Sequence, residues 1–517
     1  MAQGRAARRP RSTSACKIVG PSTADASNRR RQDLGSIRKS LGLAVLDNYA
    51  SIVLQIAATI VMARLLTPQD FGTFTVAAVL STLAGSVRHF GVPEFLLQEK
   101  VLDDALLRAA FGVSLVVSAS FGVLLFLLAP LVQSFYGAAE VASVLRILSI
   151  GYFLTPFAVV TMACFRRDLR MGPLLAANLS ASVVSFVVGI ALAANGHGPA
   201  SLAWSATAGV AASVAVALMM KPAGIPTWPS LRGARRILPF GAHASGVYLF
   251  GQAGTTLPDA IIGKVESITS VAHFSRATGL VELFNRLLLQ SIMPVVGPAF
   301  AQSARVQGEV RTVYLTGTAH LTAVAWPLLL LTGLLSYPAI RLIYGPQWIE
   351  SVALAQVLCI GAAVGVTYHL TKDALLALGQ AKACSHLQLK VHALRLAGLV
   401  AALPLGLEAA CWGLVAGSVL GAVVTQRALR RATGVTLGAV VRATSTSLWV
   451  ALITTLPALI LVLTNVPRED NYFVVGLCAA ALAALTWCLA MRQLAHPLWG
   501  EIVHIVGHAT RRWSSAK

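Results

Sequence analysis

Within the long apolar stretches of this chain stand a few charged side chains whose types could do chemistry. Arg88, Arg276 and Arg286 interrupt segments made mostly of Leu, Val, Ala, Ser and Phe, and Arg146 and Lys372 do so nearer segment ends. The acids in comparable positions are Asp47, Asp259 and Glu282. A charge inside a membrane-spanning helix costs about 2.5–3.5 kcal/mol on the insertion scale, so each needs a partner, a wet cavity or a ligand. The planar guanidinium fork binds phosphate oxygens two at a time, so arginines facing one cavity suit a phosphate or pyrophosphate. Buried carboxylates would carry a coupling proton or sodium ion. Each also has a plainer use. Glu282 stands one turn before Arg286 and could pair with it, Arg276 could snorkel to a span end, Lys372 has Asp373 beside it, and Asp259 could cap a helix end or a lobe interface.

What positions these residues is a series of membrane helices. Of 517 residues, 56% are hydrophobic and only 12% charged, about half the charge of a soluble chain; the mean hydropathy is +0.72. The apolar runs are continuous rather than alternating, which excludes a β-barrel. The expected fold is all-α: about 14 transmembrane helices of about 20 residues each, near 41–63, 71–97, 106–131, 141–163, 172–194, 200–220, 238–263, 271–301, 313–340, 351–378, 389–407, 410–425, 448–465 and 472–492. Pro156, Pro258, Pro294, Pro298 and Pro327 should bend or kink the spans that hold them.

The 41 Lys and Arg fall mainly in every second gap between these segments. With the N-terminus inside, Lys100, Arg166, Arg167, Arg170, Lys221, Arg232, Arg235, Arg236, Lys382 and Arg430 lie inside with both tails, while Arg64, Lys264, Arg341 and Arg468 lie outside. The positive-inside rule then puts both termini of a multi-pass membrane protein in the cytoplasm. A net charge of +21 therefore reads as loops and tails facing anionic membrane lipids, not as a nucleic-acid surface.

A repeat underlies the order of spans. Phe71-Gly72-Thr73-Phe74-Thr75-Val76-Ala77 is echoed by Val271-Ala272-His273-Phe274-Ser275-Arg276-Ala277, and Arg286 falls within two residues of Arg88 under the same shift of 200 positions (71 to 271). Six spans separate the copies, and an even number gives both the same orientation. The domains expected are a basic disordered tail (1–40), an N-lobe six-helix bundle (41–220), a linker (221–237), a C-lobe six-helix bundle (238–430), two additional helices (431–492) and a C-terminal tail (493–517). The N-terminal tail shows no cleavable signal.

Gly413, Gly417 and Gly421 form consecutive GxxxG steps, which predict close helix contact. The seven cysteines have no CxxC pair and read as small apolar residues. Asn178-Leu179-Ser180 lies within a span and is no glycosylation acceptor. No HExxH, GxSxG, P-loop or metal-spaced His/Cys cluster occurs, so neither catalytic residues, metal nor cofactor are expected, and the chain reads as a transporter, not an enzyme.

Three stretches carry a family likeness. Ala63-Arg64-Leu65-Leu66-Thr67-Pro68-Gln69-Asp70-Phe71-Gly72 resembles the loop after the first span of bacterial polysaccharide-unit flippases, the polysaccharide transporter branch of the multidrug/oligosaccharidyl-lipid/polysaccharide exporter superfamily. Pro294 through Pro298-Ala299-Phe300-Ala301-Gln302, with Tyr344-Gly345-Pro346-Gln347-Trp348, is similar to that family's second-half signature, and Asp259-Ala260-Ile261-Ile262-Gly263 to its seventh-span motif. The resemblance covers about 40 to 430. It implies two six-helix bundles around a cavity lined by the first, second, seventh and eighth spans, and alternating access coupled to H+ or Na+. The substrate implied is an undecaprenyl-pyrophosphate-linked oligosaccharide, and the working partners a polysaccharide polymerase and a chain-length regulator. Arg88, Arg286 and Arg276 would hold the pyrophosphate, and Asp259, Asp47 and Glu282 are the ion-coupling candidates. The two extra spans depart from a twelve-helix core and are shared with lipid II flippases of the superfamily. A multidrug exporter of the same fold, or a membrane-embedded polymerase or ligase, stays open as an alternative.

Overall fold

The structure, a computed structural model, describes Gly42 and residues 49–88, 91–222, 224–225, 228–284, 290–305, 309–465 and 471–501; at 88, 240, 242–248, 250, 284 and 290–295 it describes the backbone alone. The described residues are helical throughout, without a strand.

The first half holds α1 (Tyr49–Leu65), α2 (Pro68–Arg88), α3 (Val92–Gln98), α4 (Asp104–Tyr136), α5 (Ala139–Leu154), α6 (Pro156–Arg167), α7 (Met171–Ala194) and α8 (Pro199–Met219). The second holds α9 (Ala234–Val265), α10 (Ile268–Phe284), α11 (Gln290–Ser303), α12 (Glu309–Leu334), α13 (Ser336–Ile343), α14 (Ser351–Thr367), α15 (Thr371–Ala377), α16 (Ala381–Ala402) and α17 (Leu407–Thr433). Two further helices follow, α18 (Leu437–Thr464) and α19 (Tyr472–Gln493). The fourth span of each half is broken at one place in the order: α5 meets α6 at a 53° bend, and α14 gives way to α15 at Tyr368–Leu370. Pro156 lacks the N–H that would bond back into the preceding turn, which accounts for the first break. The sixth-span hairpins, α7–α8 and α16–α17, also correspond. The fold is thus two pseudo-symmetric six-helix bundles with two helices appended.

Local sequence sets the helix ends. The Asp103 carboxylate accepts from Leu106 N–H at 2.7 Å to start α4, and Gly137 at φ 71° stops it; a left-handed stop is one that glycine adopts without a Cβ penalty. Gly434, again at φ 71°, ends α17.

The two hairpins close by different chemistry. In α7–α8, Ser185 and Ser205 exchange hydrogen bonds, each Oγ donating to the other's carbonyl at 2.9 and 2.8 Å. In α16–α17 the glycines do it: a methyl at Gly413 would stand 2.2 Å from the Gly398 carbonyl oxygen, and one at Gly417 would stand 2.5 Å from that of Leu394. The GxxxG expectation is met there. α18 packs on α12 and α19, and Trp487 Nε1 of α19 donates to the Ala323 carbonyl of α12 at 3.0 Å.

Nine helical segments, or ten with the bent α5–α6 pair, are long and apolar enough to cross a membrane among the described residues. Long α9 and α16 are not among them, because their polar side chains dilute the apolar ones. Such helices belong beside a polar interior rather than in lipid.

The cores follow the charge. The largest runs through both bundles at the cation-poor end, uniting Met62, Phe71, Val76 and Leu145 with Ile262, Phe274, Tyr344 and Trp348. Toward the basic end each bundle has its own: Val92, Phe95, Leu106 and Phe111 in the first, Phe300, Tyr314, Leu321 and Leu329 in the second. Ile237 at the start of α9 joins the first bundle's core, with Ala234 packed against it.

Candidate functional site

At the cation-poor end the two bundles are clamped through the corner between α1 and α2. The Ala63 carbonyl accepts from Gln347 Nε2 at 2.7 Å and from Trp348 Nε1 at 2.9 Å. Arg64 Nη2 donates to the Leu342 carbonyl at 2.7 Å, and Tyr136 Oη to that of Ala260 at 3.1 Å. Lys264 Nζ donates to the Phe135 carbonyl and lies 4.4 Å from its ring centroid. Gly72 brings α2 against α10 so closely that a methyl there would be 1.9 Å from the Ile268 carbonyl oxygen. The two echoed stretches of the sequence, near 71–77 and 271–277, are thus neighbours across this interface.

Arg276 is the centre of that clamp. Its guanidinium carbon lies 4.5 Å from the Phe71 ring, 5.4 Å from Tyr344 and 5.6 Å from Trp348. It donates no hydrogen bond among the described residues, and its Nε is buried without a partner. Three ring faces with negative quadrupoles surround it where no carboxylate makes a contact ion pair among the described residues, and desolvated contacts of this kind are worth about 2 kcal/mol. Trp348 is fully buried and touches Phe71 edge to face at 5.3 Å. Burial holds the Tyr344 phenol, in the loop after α13, above its ordinary range, with the Arg276 charge working against the shift; the ring therefore stays neutral.

Asp259 stands on α9, which continues as a helix through Pro258. Its Oδ1 is buried without a hydrogen bond, and Arg276 is the charge that acts on it. The structure therefore brings two of the sequence-derived site residues, Asp259 and Arg276, onto adjoining helices. Glu282 is exposed near the end of α10. Arg88 ends α2, its side chain lying outside the described residues, as do Arg286 and Asp47 altogether. Arg146 is exposed, 5.4 Å from the Phe126 ring.

Toward the basic end a cavity of about 710 Å³ opens among α2, α3, α5, α6, α8 and α9. Its wall is more apolar than polar, with Leu148, Val159, Met162 and Val210, but Ser81, Thr82 and Ser86 on α2, Tyr152 on α5 and Gln252 on α9 also line it, as do Glu94 and Arg166. The neutral polar side chains among these offer donors and acceptors of the kind a sugar uses. The α2 segment Ser81-Thr82-Leu83-Ala84-Gly85-Ser86, two turns before Arg88, carried that signal in the sequence and was not singled out. Arg236 Nη2 pairs with Glu99 Oε1 at 2.9 Å beside it, and Ser230 N–H donates to the Arg108 carbonyl at 3.1 Å, so the linker lies on α4.

Two more functional candidates escaped sequence reasoning. Arg395 lies mid-span in α16, its Nε buried without a partner, and His392 Nδ1 is in the same state. The His392 ring packs on Gly254 of α9, where a methyl would come within 2.3 Å of it. The expected span 389–407 enclosed both, so position alone would have found them. No group of three metal-ligating side chains occurs among the described residues.

The fold is shared with solved transporters. A lipid II flippase MurJ in an inward closed conformation superposes with TM-score 0.71 at 13% identity, covering 87% of this chain and all of that one. An inward-facing multidrug resistance MATE family transporter of the MOP superfamily superposes with TM-score 0.57 at 16% identity over 74% of this chain and 95% of that one. In sequence, the chain is 22% identical to the teichuronic acid biosynthesis protein TuaB of Bacillus subtilis (strain 168), over 64% of this chain and 68% of that protein. It is likewise 22% identical to the succinoglycan biosynthesis transport protein ExoT of Rhizobium meliloti (strain 1021), where the match spans 60% of this chain and 63% of the relative. The family described as polysaccharide biosynthesis protein matches residues 61–353, more than half of the 517. The chain is a member of the polysaccharide biosynthesis protein family.

Proposed function

We propose that the chain moves undecaprenyl-pyrophosphate-linked oligosaccharide units from the cytoplasmic to the outer leaflet of the bacterial inner membrane by alternating access, for exopolysaccharide, O-antigen or capsule assembly. The observation that carries this reading is the unequal sealing of the two ends. One core and a caged arginine join the bundles at the cation-poor end, while an open cavity with hydroxyls in its wall and separate cores occupy the basic end. With both termini cytoplasmic, that is a transporter closed to the outside. The bundles 41–220 and 238–430 are the two moving lobes, joined by the linker 221–237, with 431–492 appended and 1–40 and 493–517 as tails.

In this scheme Arg88 and Arg286 hold the pyrophosphate, and Arg276 leaves its ring cage to join them when the outer end opens. Asp259, whose buried oxygen has no hydrogen bond, takes the coupling H+ or Na+, with Asp47 and Glu282 as the other acids in play. A polymerase and a chain-length regulator would receive the product.

The test is genetic and biochemical together. In a strain whose surface polysaccharide depends on this chain, Arg88→Ala and Arg286→Ala should each abolish it at normal protein levels, with lipid-linked units accumulating in the inner leaflet. Full export by the double variant would remove the site assignment. Accumulation in the outer leaflet instead would mark a polymerase, and altered drug susceptibility with intact polysaccharide would mark a multidrug exporter. A second reading, in which the same fold exports lipid II, is compatible with the shared fold of a lipid II flippase over 87% of this chain.

A further inference from the structure

We propose that the lipid-diphosphate headgroup enters along α16, on an exposed track formed by Lys382, His386 and Lys390. This rests on the flippase reading and adds to it a site away from Arg88, Arg276 and Arg286. The three residues stand four apart, which places them along one face of the helix over about 12 Å of rise. All three are exposed, and none makes an ion pair or hydrogen bond among the described residues. α16 contains no Asp or Glu, so nothing on its own surface neutralises them.

The corresponding helix of the other bundle shows that this charge is not structural. α7 makes the same hairpin with its neighbour as α16 does, yet its 24 residues include no Lys, Arg, His, Asp or Glu. Packing therefore needs none of the five basic or titratable side chains that α16 carries: Lys382, His386, Lys390, His392 and Arg395. They also make α16 too polar to rank with the lipid-facing spans. Beyond Lys390 the positive charge continues inward through Arg395, whose Nε is buried without a partner, and the His392 ring beside it abuts α9, the helix of Asp259. A row of unpaired cations rising from the basic end into the bilayer requires an anion that rises with it. Lysine ammonium groups serve phosphate as mobile point charges, which suits a headgroup that passes along them rather than docking once. The diphosphate of a polyprenyl lipid has the charge for this, and its tail can remain in the bilayer beside the helix.

The test uses the full chain in phosphatidylcholine nanodiscs, titrated with undecaprenyl diphosphate and followed by native mass spectrometry. The wild type should bind it, and Lys382→Ala/Lys390→Ala should bind at least about tenfold more weakly with an unchanged melting temperature. Lys382→Arg/Lys390→Arg should bind as the wild type does. Retention of phosphatidylglycerol, measured in parallel, should be equal in all three. Equal diphosphate affinity in the alanine variant removes the track and leaves the flippase reading intact. Equal loss of phosphatidylglycerol and diphosphate would also overturn it, making the stripe a contact for bulk anionic lipid. If the wild type binds no diphosphate, the flippase reading fails and the track with it.

Discussion

The two ends of the molecule hold the bundles together by opposite means. At the cation-poor end, Arg64 and Lys264 are tied to carbonyls of the other bundle, Arg276 is wrapped in rings drawn from both, and a single core crosses between them. At the basic end the cores are separate, the linker lies on the first bundle, and one ion pair, Arg236–Glu99, is largely open to water on the arginine side. A seal built of dry packing and short hydrogen bonds is cooperative: it holds or it opens, with little between. A screened pair in water supplies no comparable switch. In the proposed alternating-access cycle the switch therefore lies at the cation-poor end.

Trp348→Ala should have the largest effect. Removing a fully buried Trp costs about 3–5 kcal/mol in a core that cannot collapse, and here the Ala63 carbonyl loses a donor as well. A cysteine at Val271, buried in the seal, should then change from protected to readily labelled by a membrane-impermeant maleimide added outside. Continued protection would mean that the clamp is not what closes this end. Gly72→Val acts on the same interface by overfilling it. The atom it meets is the Ile268 backbone oxygen, which no rotamer change can move, so α2 and α10 must part at a cost of about 1–3 kcal/mol. The same labelling assay should report intermediate exposure.

Arg276→Ala comes next. Loss of the ring contacts should weaken the seal by about 0.5–2 kcal/mol, while Arg276→Lys keeps a charge but loses the flat stacking surface and should fall between. Transport should drop further than the labelling assay alone explains if Arg276 also meets pyrophosphate. A transport loss matching the seal loss would restrict Arg276 to the clamp.

How much of this was legible beforehand depends on the range of the contact. The helical fold, the duplication and the GxxxG seam were readable because hydropathy and spacing are local signals. Pro156 announced the break between α5 and α6, whereas the one local signal near Tyr368–Leu370 is Gly365 in the last turn of α14, and a lone glycine in a helix does not fix where it ends. Arg276 stood out as a cation among apolar neighbours, yet its cage was hidden: Phe71 lies in the other bundle and Tyr344 and Trp348 beyond three further helices. Arg395 falls inside an expected span but has no counterpart in the repeat, since the position 200 residues earlier is Asn195. The cavity wall escaped for the opposite reason, since Ser, Thr and Gly in a membrane helix read equally well as packing.

The smallest effect is expected from the Arg236–Glu99 pair, and it is the sharpest check on the contrast between the ends. The arginine side chain is 63% exposed and the glutamate 18%, so solvent screens the interaction and the pair is worth about 0–1 kcal/mol. A double-mutant cycle of Arg236→Ala and Glu99→Ala, read by thermal melting in detergent, should give a coupling within that range that fades between low and 0.5 M salt, where the screening length falls to about 4 Å. The Val271 cysteine should stay protected in both single variants, because neither Arg236 nor Glu99 belongs to the core that closes the cation-poor end. A salt-resistant coupling comparable to that of the ring cage would give the basic end a gate of its own. Alternation would then be a contest between two latches, and not the release of one.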